Sequence, residues 1–217
     1  MSSFPGSPKP LKAGIVLIDP GTSAVQRVIA FQYSPDNLTR SFQIQAFGGD
    51  AADRSQAMRI KGPPVESFRI EAELDAVDQL EVADGVVTSV GLSAQLAAME
   101  TMIYPTSDKL TANNRLADSG VLEIVPMEAP LAIFVWSKNR IVPVRITELS
   151  ITEEAFDPSL NPIRAKVSMG LRVLSVDDLG FLHKGGSLYI MYQQQKERLA
   201  AMAQSGTLAV LGIGGIP

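Results

Sequence analysis

Strict two-residue alternation is clearest between Ile163 and Val173. Ile163, Ala165, Val167, Met169, Leu171 and Val173 fall on one side, and Arg164, Lys166, Ser168, Gly170 and Arg172 on the other. Successive side chains of a strand point to opposite faces, so this spacing predicts a strand with an apolar inner face and a cationic outer one. Phe68, Ile70, Ala72 and Leu74 alternate in the same way with Arg69, Glu71 and Glu73. Leu38, Phe42, Ile44 and Ala46 share a side that Arg40 interrupts, opposite Thr39, Ser41, Gln43 and Gln45. That pattern predicts a half-buried strand with a polar, uncharged outer face. Leu131 to Trp136 is almost continuously apolar, as in a strand buried on both faces. After a turn at Ser137-Lys138-Asn139-Arg140, Ile141 to Ile151 forms another strand with Val142, Val144 and Ile146 on one face. Its Pro143 cannot donate to a ladder, which points to an edge or a bulge. Ala13 to Asp19 and Ala24 to Tyr33, joined through Pro20-Gly21, read as a hairpin, and Val121 to Val125 as a further short strand.

Helical spacing replaces alternation in two places. Leu92, Leu96, Ala97, Met99 and Met102 predict a helix over Ser93–Ile103 that Pro105 stops. Leu188, Met191, Tyr192, Leu199 and Met202 predict a second, capped by Ser187 and ended by Gly206. Gly48 to Pro64 has no period and reads as a long loop, Thr106 to Ser119 as a polar loop, and Asp157-Pro158 with Asn161-Pro162 as brackets of a third. The chain is therefore expected to be mainly β (α+β), a barrel or sandwich of about seven or eight strands with one inserted helix and one C-terminal helix. Three parts follow: an extended Pro- and Ser-rich arm (1–12), a β body (13–175), and a helix with its tail (176–217). The arm lacks the apolar core of a signal peptide. The apolar stretch Gly206 to Pro217 is Gly-rich and far short of the roughly 20 residues of a spanning helix, so it either frays or docks on a neighbour.

Composition narrows the chemistry. Of 217 residues 46% are hydrophobic and 19% charged, enough for a packed core. With no Cys, disulfides, thiolate metal sites and cysteine nucleophiles are excluded. The single His183 excludes multi-His zinc sites. A net charge of −4 gives no broad cationic field, so nucleic acid is not an expected partner. Neither a cofactor nor a metal is expected. Lys184-Gly185-Gly186-Ser187 superficially resembles a phosphate cradle but lacks P-loop spacing and reads as a helix entry. His183 has Asp177 and Asp178 nearby in sequence, yet no strained serine elbow accompanies it, and a surface histidine is the simpler account. Glu71 and Glu73 share a strand face beside Arg69, a cation that favours ionised carboxylates over a proton-shuttling pair. Glu153 and Glu154 form a second pair, and Trp136 within an apolar strand reads as core. No catalytic, cofactor or metal residue is assigned, and no enzyme activity is expected.

Three segments carry a resemblance. They are Phe31-Gln32-Tyr33-Ser34-Pro35-Asp36-Asn37-Leu38-Thr39-Arg40; Phe134-Val135-Trp136 with Ile141-Val142-Pro143-Val144-Arg145-Ile146-Thr147; and Ile151-Thr152-Glu153-Glu154-Ala155-Phe156 with Leu160-Asn161-Pro162-Ile163-Arg164-Ala165. In this order they are similar to the tube and baseplate proteins of contractile injection systems, relatives of phage tail proteins. Within these, about residues 13 to 175 resemble the tube-like domain of the baseplate adaptor that carries a lysin-motif domain in many members. No such domain is expected from this sequence; a helix and short tail stand in its place, and with it the glycan contact and sheath-side docking that domain would supply are not expected. The resemblance implies a tail-tube-like barrel that assembles as a homo-oligomeric, sixfold ring in the baseplate hub. Its implied partners are inner-tube protein, trimeric spike and surrounding baseplate or sheath proteins. Assembly would be cytoplasmic, within a phage tail-like particle, without membrane insertion.

Exposed strand edges are covered when subunits join, which suits such a ring. Either the Thr39-Ser41-Gln43-Gln45 face or the Arg164-Lys166-Arg172 face could line its lumen. Tyr33, Pro35, Leu38, Arg40, Phe156 and Pro162, in the most family-like turns, are candidate subunit-interface residues, with turn-fixing and core packing as their alternative role. The loop from Gly48 to Pro64 is a candidate contact with an adjacent ring. The bulk inner-tube protein is a sibling assignment. A β-barrel enzyme using His183 or Glu71/Glu73, or a carbohydrate-binding module, belongs to other classes.

Overall fold

The computed structural model describes residues 11–46, 59–120, 129–203 and 206–216. Seven strands form one antiparallel sheet: β1 (Gly14–Ile18), β2 (Val25–Ala30), β3 (Leu38–Gln43), β4 (Val65–Asp75), β5 (Leu131–Ser137), β6 (Arg140–Phe156) and β7 (Pro162–Val173). Their order is β2-β1-β5-β6-β7-β4-β3, so β2 and β3 are the two edges. The mainly β fold with attached helices is as the alternation predicts. The long β6 serves two neighbours in turn, β5 through Arg140–Val144 and β7 through Val144–Phe156. A register shift between Ile146 and Glu148 bends it. The curl brings Gln32, just beyond β2, to the end of β4. Its amide donates to the Asp75 carbonyl (2.6 Å) and accepts from the Asp75 N–H (3.0 Å), imitating one rung of a ladder.

The core lies on one side of the sheet. Ile15, Phe31, Phe68, Ile70, Phe134, Val142, Val167, Met169 and Leu171 are all essentially inaccessible there. Phe134 tilts against Phe68 and Trp136, which makes Trp136 part of the packing. β5 is buried on both faces, as its unbroken apolar run predicts: Ala132 and Phe134 enter the main core, Leu131 and Ile133 a second cluster with Ile18.

The helices depart from expectation in number and limits. Among the described residues four, not one, lie between β4 and β5: α1 (Val77–Glu81), α2 (Gly85–Val90), α3 (Ser93–Glu100) and α4 (Ser107–Asp118). α2 begins where the Asp84 carboxylate accepts from the N–H groups of Val86 and Val87. It ends at Gly91, whose positive φ of 57° and contact with the Pro162 carbonyl exclude a side chain. α3 supplies Leu96 and Met99 to the core and stops at Glu100, short of Ile103. α4 occupies the stretch expected to be a polar loop. Thr106 caps it, and none of its residues is buried; its strongly polar composition, Asp, Lys, Thr, Asn and Arg around Leu110 and Leu116, is what reads as a loop.

After β7 come α5 (Val176–Leu179), with a capping box between Ser175 and Asp178, and α6 (Lys184–Ala201). The α6 cap is His183, not Ser187: its Nδ1 accepts from the Gly185 N–H at 3.1 Å. The helix ends at Ala201, not at Gly206. Gly185 and Gly186 serve close packing, because a Cβ at Gly186 would run into the Gly180 carbonyl oxygen.

Two strand expectations also change. Pro143 lies in a central strand and away from the bulge. Its carbonyl accepts from the Leu174 N–H at the last rung beside β7, so its missing N–H falls where that neighbour ends. β3 stops at Gln43, and both Phe42 and Ile44 stand exposed. The expected strand Val121 to Val125, most of the arm and most of the Gly48–Pro64 loop lie outside the described residues. No described helix is long and apolar enough to cross a membrane.

Candidate assembly surface

Directly opposed residues in an antiparallel ladder share a face, so the register shows which side chains stand together. Ser41 opposes Ser67, which opposes Arg172, which opposes Arg145. Thr39 continues through Arg69 and Gly170 to Glu148. Glu71 leads to Ser168 and Ser150, Glu73 to Lys166 and Thr152, and Asp75 to Arg164 and Glu154. The two candidate lumen faces, one hydroxyl- and amide-bearing on β3 and one cationic on β7, are therefore parts of one continuous polar face across β3, β4, β7 and β6.

Opposite charges alternate on this face and pair. Arg69 donates to Glu148 at 2.7 Å, Lys166 to Glu154 at 3.0 Å, Arg164 to Asp75 at 3.1 Å and Arg172 to Asp178 of α5 at 2.7 Å. The Glu154 carboxylate raises the Lys166 ammonium pKa by hydrogen bond and charge. All four pairs are solvated and hold little energy each; together they leave a hydrated surface with little net field. The face is concave. A groove of about 770 Å³ runs between the Tyr33–Asn37 turn and the strands, over Thr39, Arg69, Glu71, Glu73, Thr152 and Lys166. Glu71 and Glu73 do share it, as their spacing predicts.

The six candidate interface residues separate into two kinds. Tyr33 and Phe156 expose about half their surface, at the turn before β3 and at the end of β6. Slight burial and the charges of Asp78 and Asp75 raise the Tyr33 phenol pKa. Pro35 lines the groove. Leu38 packs against the core, and Pro162 is buried beside Gly91, its carbonyl accepting from the Leu92 N–H at 2.8 Å. The hairpin turn after Phe156 is held by Asp157, which accepts from the backbone N–H groups of Ser159 and Asn161 and from the Asn161 amide; these bonds lower its carboxyl pKa.

Arg40 turns inward to a residue the alternation pattern leaves unremarked. Glu66, 3% exposed, is the sole buried charged or polar side chain among the described residues. Its Oε1 accepts from Arg40 Nη2 (2.8 Å), Arg40 Nε (3.2 Å) and the Tyr192 hydroxyl (2.8 Å), and its Oε2 from Lys196 Nζ (2.7 Å). Burial pushes the Glu66 carboxyl pKa up, but the hydrogen bonds from Lys196, Arg40 and Tyr192 outweigh it and hold the carboxyl below its ordinary value. Burial and the Glu66 bond drive the Tyr192 phenol well above the usual tyrosine range. Both cations also approach the Phe42 ring, the Arg40 guanidinium carbon at 4.9 Å and Lys196 Nζ at 5.6 Å from its centroid. Parity is the signal that could have found this cluster. Glu66 sits two residues before Phe68 on the buried series, and Arg40 two before Phe42, so each apolar series carries one charge at adjacent positions of paired strands.

The remaining candidate groups are engaged in structural contacts among the described residues. His183 is occupied as a helix cap, Glu66 is saturated by cations, and the described residues contain no group of three or more His, Cys, Asp or Glu placed to hold a metal ion. No protein-family model and no curated protein matches the chain. Solved structures similar to it include a chain from the tail of an empty gene transfer agent (GTA) particle with C6 symmetry, at 14% identity and a TM-score of 0.28, covering 75% of this chain and 90% of that one. A second is a chain from the virion of a native GTA particle, at 14% identity and a TM-score of 0.26, covering 74% and 95%. TM-scores of this size do not establish a common fold.

Proposed function

We propose that this chain is a structural subunit of a phage tail-like, contractile particle, which joins copies of itself into a ring, six to a turn, within the baseplate hub between inner tube and spike. One observation carries the proposal: the sheet ends in two edge strands with no further strand paired to either among the described residues, and both expose large apolar side chains, Val25 and Val28 on β2 and Phe42 on β3. A free edge with apolar side chains is a template for association, and copies of the same sheet can cover it. The three ordered sequence segments that resemble tube and baseplate proteins support the same assignment. So does the concave, charge-balanced face, which suits a passage better than a grip on charged cargo. On this proposal the exposed Tyr33 and Phe156 rings and Pro35 meet neighbouring subunits, and Leu38, Arg40 and Pro162 act through the packing of their own subunit.

Co-expression with the inner-tube and spike proteins of the same particle, followed by electron microscopy, tests the proposal. Rings or stacked rings are expected. A chain that stays monomeric in the presence of both is the refuting result. Copy number in purified particles separates a single adaptor ring from the many rings of a bulk tube.

A further inference from the structure

The far end of β6 presents an exposed apolar face. Phe156 and Leu160 of the hairpin between β6 and β7 stand out there, Leu160 79% accessible. Val86 and Val90, four residues apart on one side of α2, are exposed as well, as is Val82 just before that helix. These elements adjoin. The Leu92 N–H donates to the Pro162 carbonyl and the Ala76 N–H to the Ile163 carbonyl, both at 2.8 Å, and the Asn161 amide donates to the Ser89 carbonyl at 3.4 Å. Leu160 has a φ of 64°, in the left-handed region that favours glycine and asparagine. A leucine is held there although the fold buries little of it.

The charge around this face has one sign. Residues 75–92 and 153–161 contain no Lys or Arg. Arg164 and Lys166 neutralise Asp75 and Glu154, and Asp78, Glu81, Asp84, Glu153 and Asp157 have no paired cation among the described residues. At the near end of β6 the sign is reversed. Lys138 and Arg140 lie in the turn that leads into it, with no acid between them. Gln195 of α6 donates to Asn139 of that turn at 3.4 Å, so Arg198 and Leu199, three and four residues further on, come to the same side of the helix. None of the three cations has an ion-pair partner among the described residues, and Glu197, the single carboxylate of α6, bonds to Gln193. Ile141 and Leu199 are exposed beside them. Each end is therefore apolar, one rimmed by carboxylates and the other by Lys and Arg.

We infer that copies of this chain stack end to end, the Phe156–Leu160 end of one on the Lys138–Arg140 end of the next. Charge complementarity selects a second copy as the occupant, and it also selects the orientation: two like ends would repel, so a two-fold pairing of either end with itself is disfavoured. The two ends do not meet within one chain, because the 17 residues of β6, at about 3.3 Å each, set them roughly 50 Å apart along the strand. A contact between unlike ends leaves one of each kind free, so it repeats and builds an open stack. Sheet edges join copies side by side, whereas this contact joins them end to end. The inference therefore goes beyond the ring assignment and does not depend on it.

Sedimentation velocity of the full chain tests it, with Val28→Lys as the background so that the β2 edge does not contribute. Association is expected at about 0.1 M salt and should weaken at about 1 M, where the screening length falls from about 10 Å to about 3 Å. Lys138→Glu with Arg140→Glu reverses the basic end. Asp78→Lys with Glu81→Lys and Glu153→Lys reverses the acidic end. Either set alone leaves both ends with the same sign and should weaken association by about tenfold or more. An equimolar mixture of the two restores opposite signs at every contact and should associate again. Leu160→Asn relaxes the backbone at its positive φ, so it should fold at least as stably while also weakening association about tenfold. A background chain that stays monomeric at low salt, reversed variants that associate unchanged, a mixture that does not recover, or an unchanged Leu160→Asn each overturns the inference. If the mixture recovers and no ring is ever seen with tube and spike partners, the stack stands and the particle assignment fails. If the charge-reversed chains, with Val28 intact, form rings with those partners and their mixture does not recover, the reverse holds.

Discussion

Glu66→Gln isolates the charge at the centre of the buried cluster. The amide keeps the volume of the carboxylate, so packing around Phe68 and Tyr192 is preserved while the negative charge disappears. Four hydrogen bonds then lose charge assistance, and the amide NH₂ faces a cation it cannot accept from. Breaking a fully buried ion pair costs about 3–5 kcal/mol. Arg40 and Lys196 each keep about 30% of their side-chain surface in water and can rehydrate, so the expected loss is near the lower end, about 3 kcal/mol. For a chain of this size that corresponds to a fall in Tm of roughly 6–12 °C. Thermal and urea unfolding followed by circular dichroism measure it. Glu148→Gln, which removes a solvated pair with Arg69 on the polar face, is the control and should cost under about 1 kcal/mol. The pH dependence gives a second readout. The folded-state pKa of Glu66 lies below its unfolded value, so its contribution is fully present above the ordinary glutamate pKa of 4.5 and is lost as pH falls through the lower, folded value. The wild type should therefore lose its advantage over Glu66→Gln progressively below about pH 4.5. Equal stabilities at neutral pH, or a difference unchanged down to strong acid, would refute the account of this cluster.

Three further outcomes follow from the same geometry. Gly186→Ala should destabilise by about 2 kcal/mol or more, since its Cβ meets the Gly180 carbonyl, while Gly206→Ala, with open space around it, should be neutral; denaturant midpoints distinguish them. His183→Ala should cost about 1 kcal/mol through loss of the α6 cap and raise hydrogen exchange in the first turn of that helix; a far larger effect would point to a role beyond capping. Val28→Lys on the exposed edge of β2 should leave the monomer's Tm unchanged and reduce its self-association in sedimentation, because a lysine on an edge blocks pairing with another sheet; unchanged assembly would remove β2 from the interface.

How much of this was legible before any coordinates depended on whether a residue's neighbours lay along the chain. β7 could be read whole, since all six inward residues and all five outward ones obey one period. β5 could be read because a strand covered on both faces needs no polar position. α4 was hidden by its polarity: it buries no residue, and its marks, the Thr106 cap, Asp108 in the first turn and Arg115 in the last, lie in a stretch whose composition is that of a loop. Nor could α6 be bounded, because Ser187 has the side chain of a cap while His183, less often used, holds the position. Pro143 misled for a related reason. A proline marks one missing donor, and whether that donor faces an edge, a bulge or the end of a neighbouring strand depends on where β7 stops. The candidate site divides the same way. Glu71 and Glu73 share a face by parity alone, whereas the union of the β3 and β7 faces requires the register of strands nearly 130 residues apart.

That register also explains why a carboxylate was worth burying at the margin of the sheet rather than in its middle. β3 is six residues long and pairs on one side only, so backbone hydrogen bonding alone holds it weakly. Arg40 reaches from β3 to Glu66 on β4, and Tyr192 and Lys196 reach from α6 to the same carboxylate. One anion thus fastens an edge strand and the C-terminal helix to the sheet together, and the two cations it holds both approach the Phe42 ring exposed at that edge. Loosening α6 at Lys196 should therefore loosen β3. Lys196→Met keeps the aliphatic stem and removes only the charge. Its expected signature is faster hydrogen exchange in β3 as well as in the second half of α6, with β5 and β7 unaffected. Faster exchange confined to α6 would mean that the edge is held by its ladder alone.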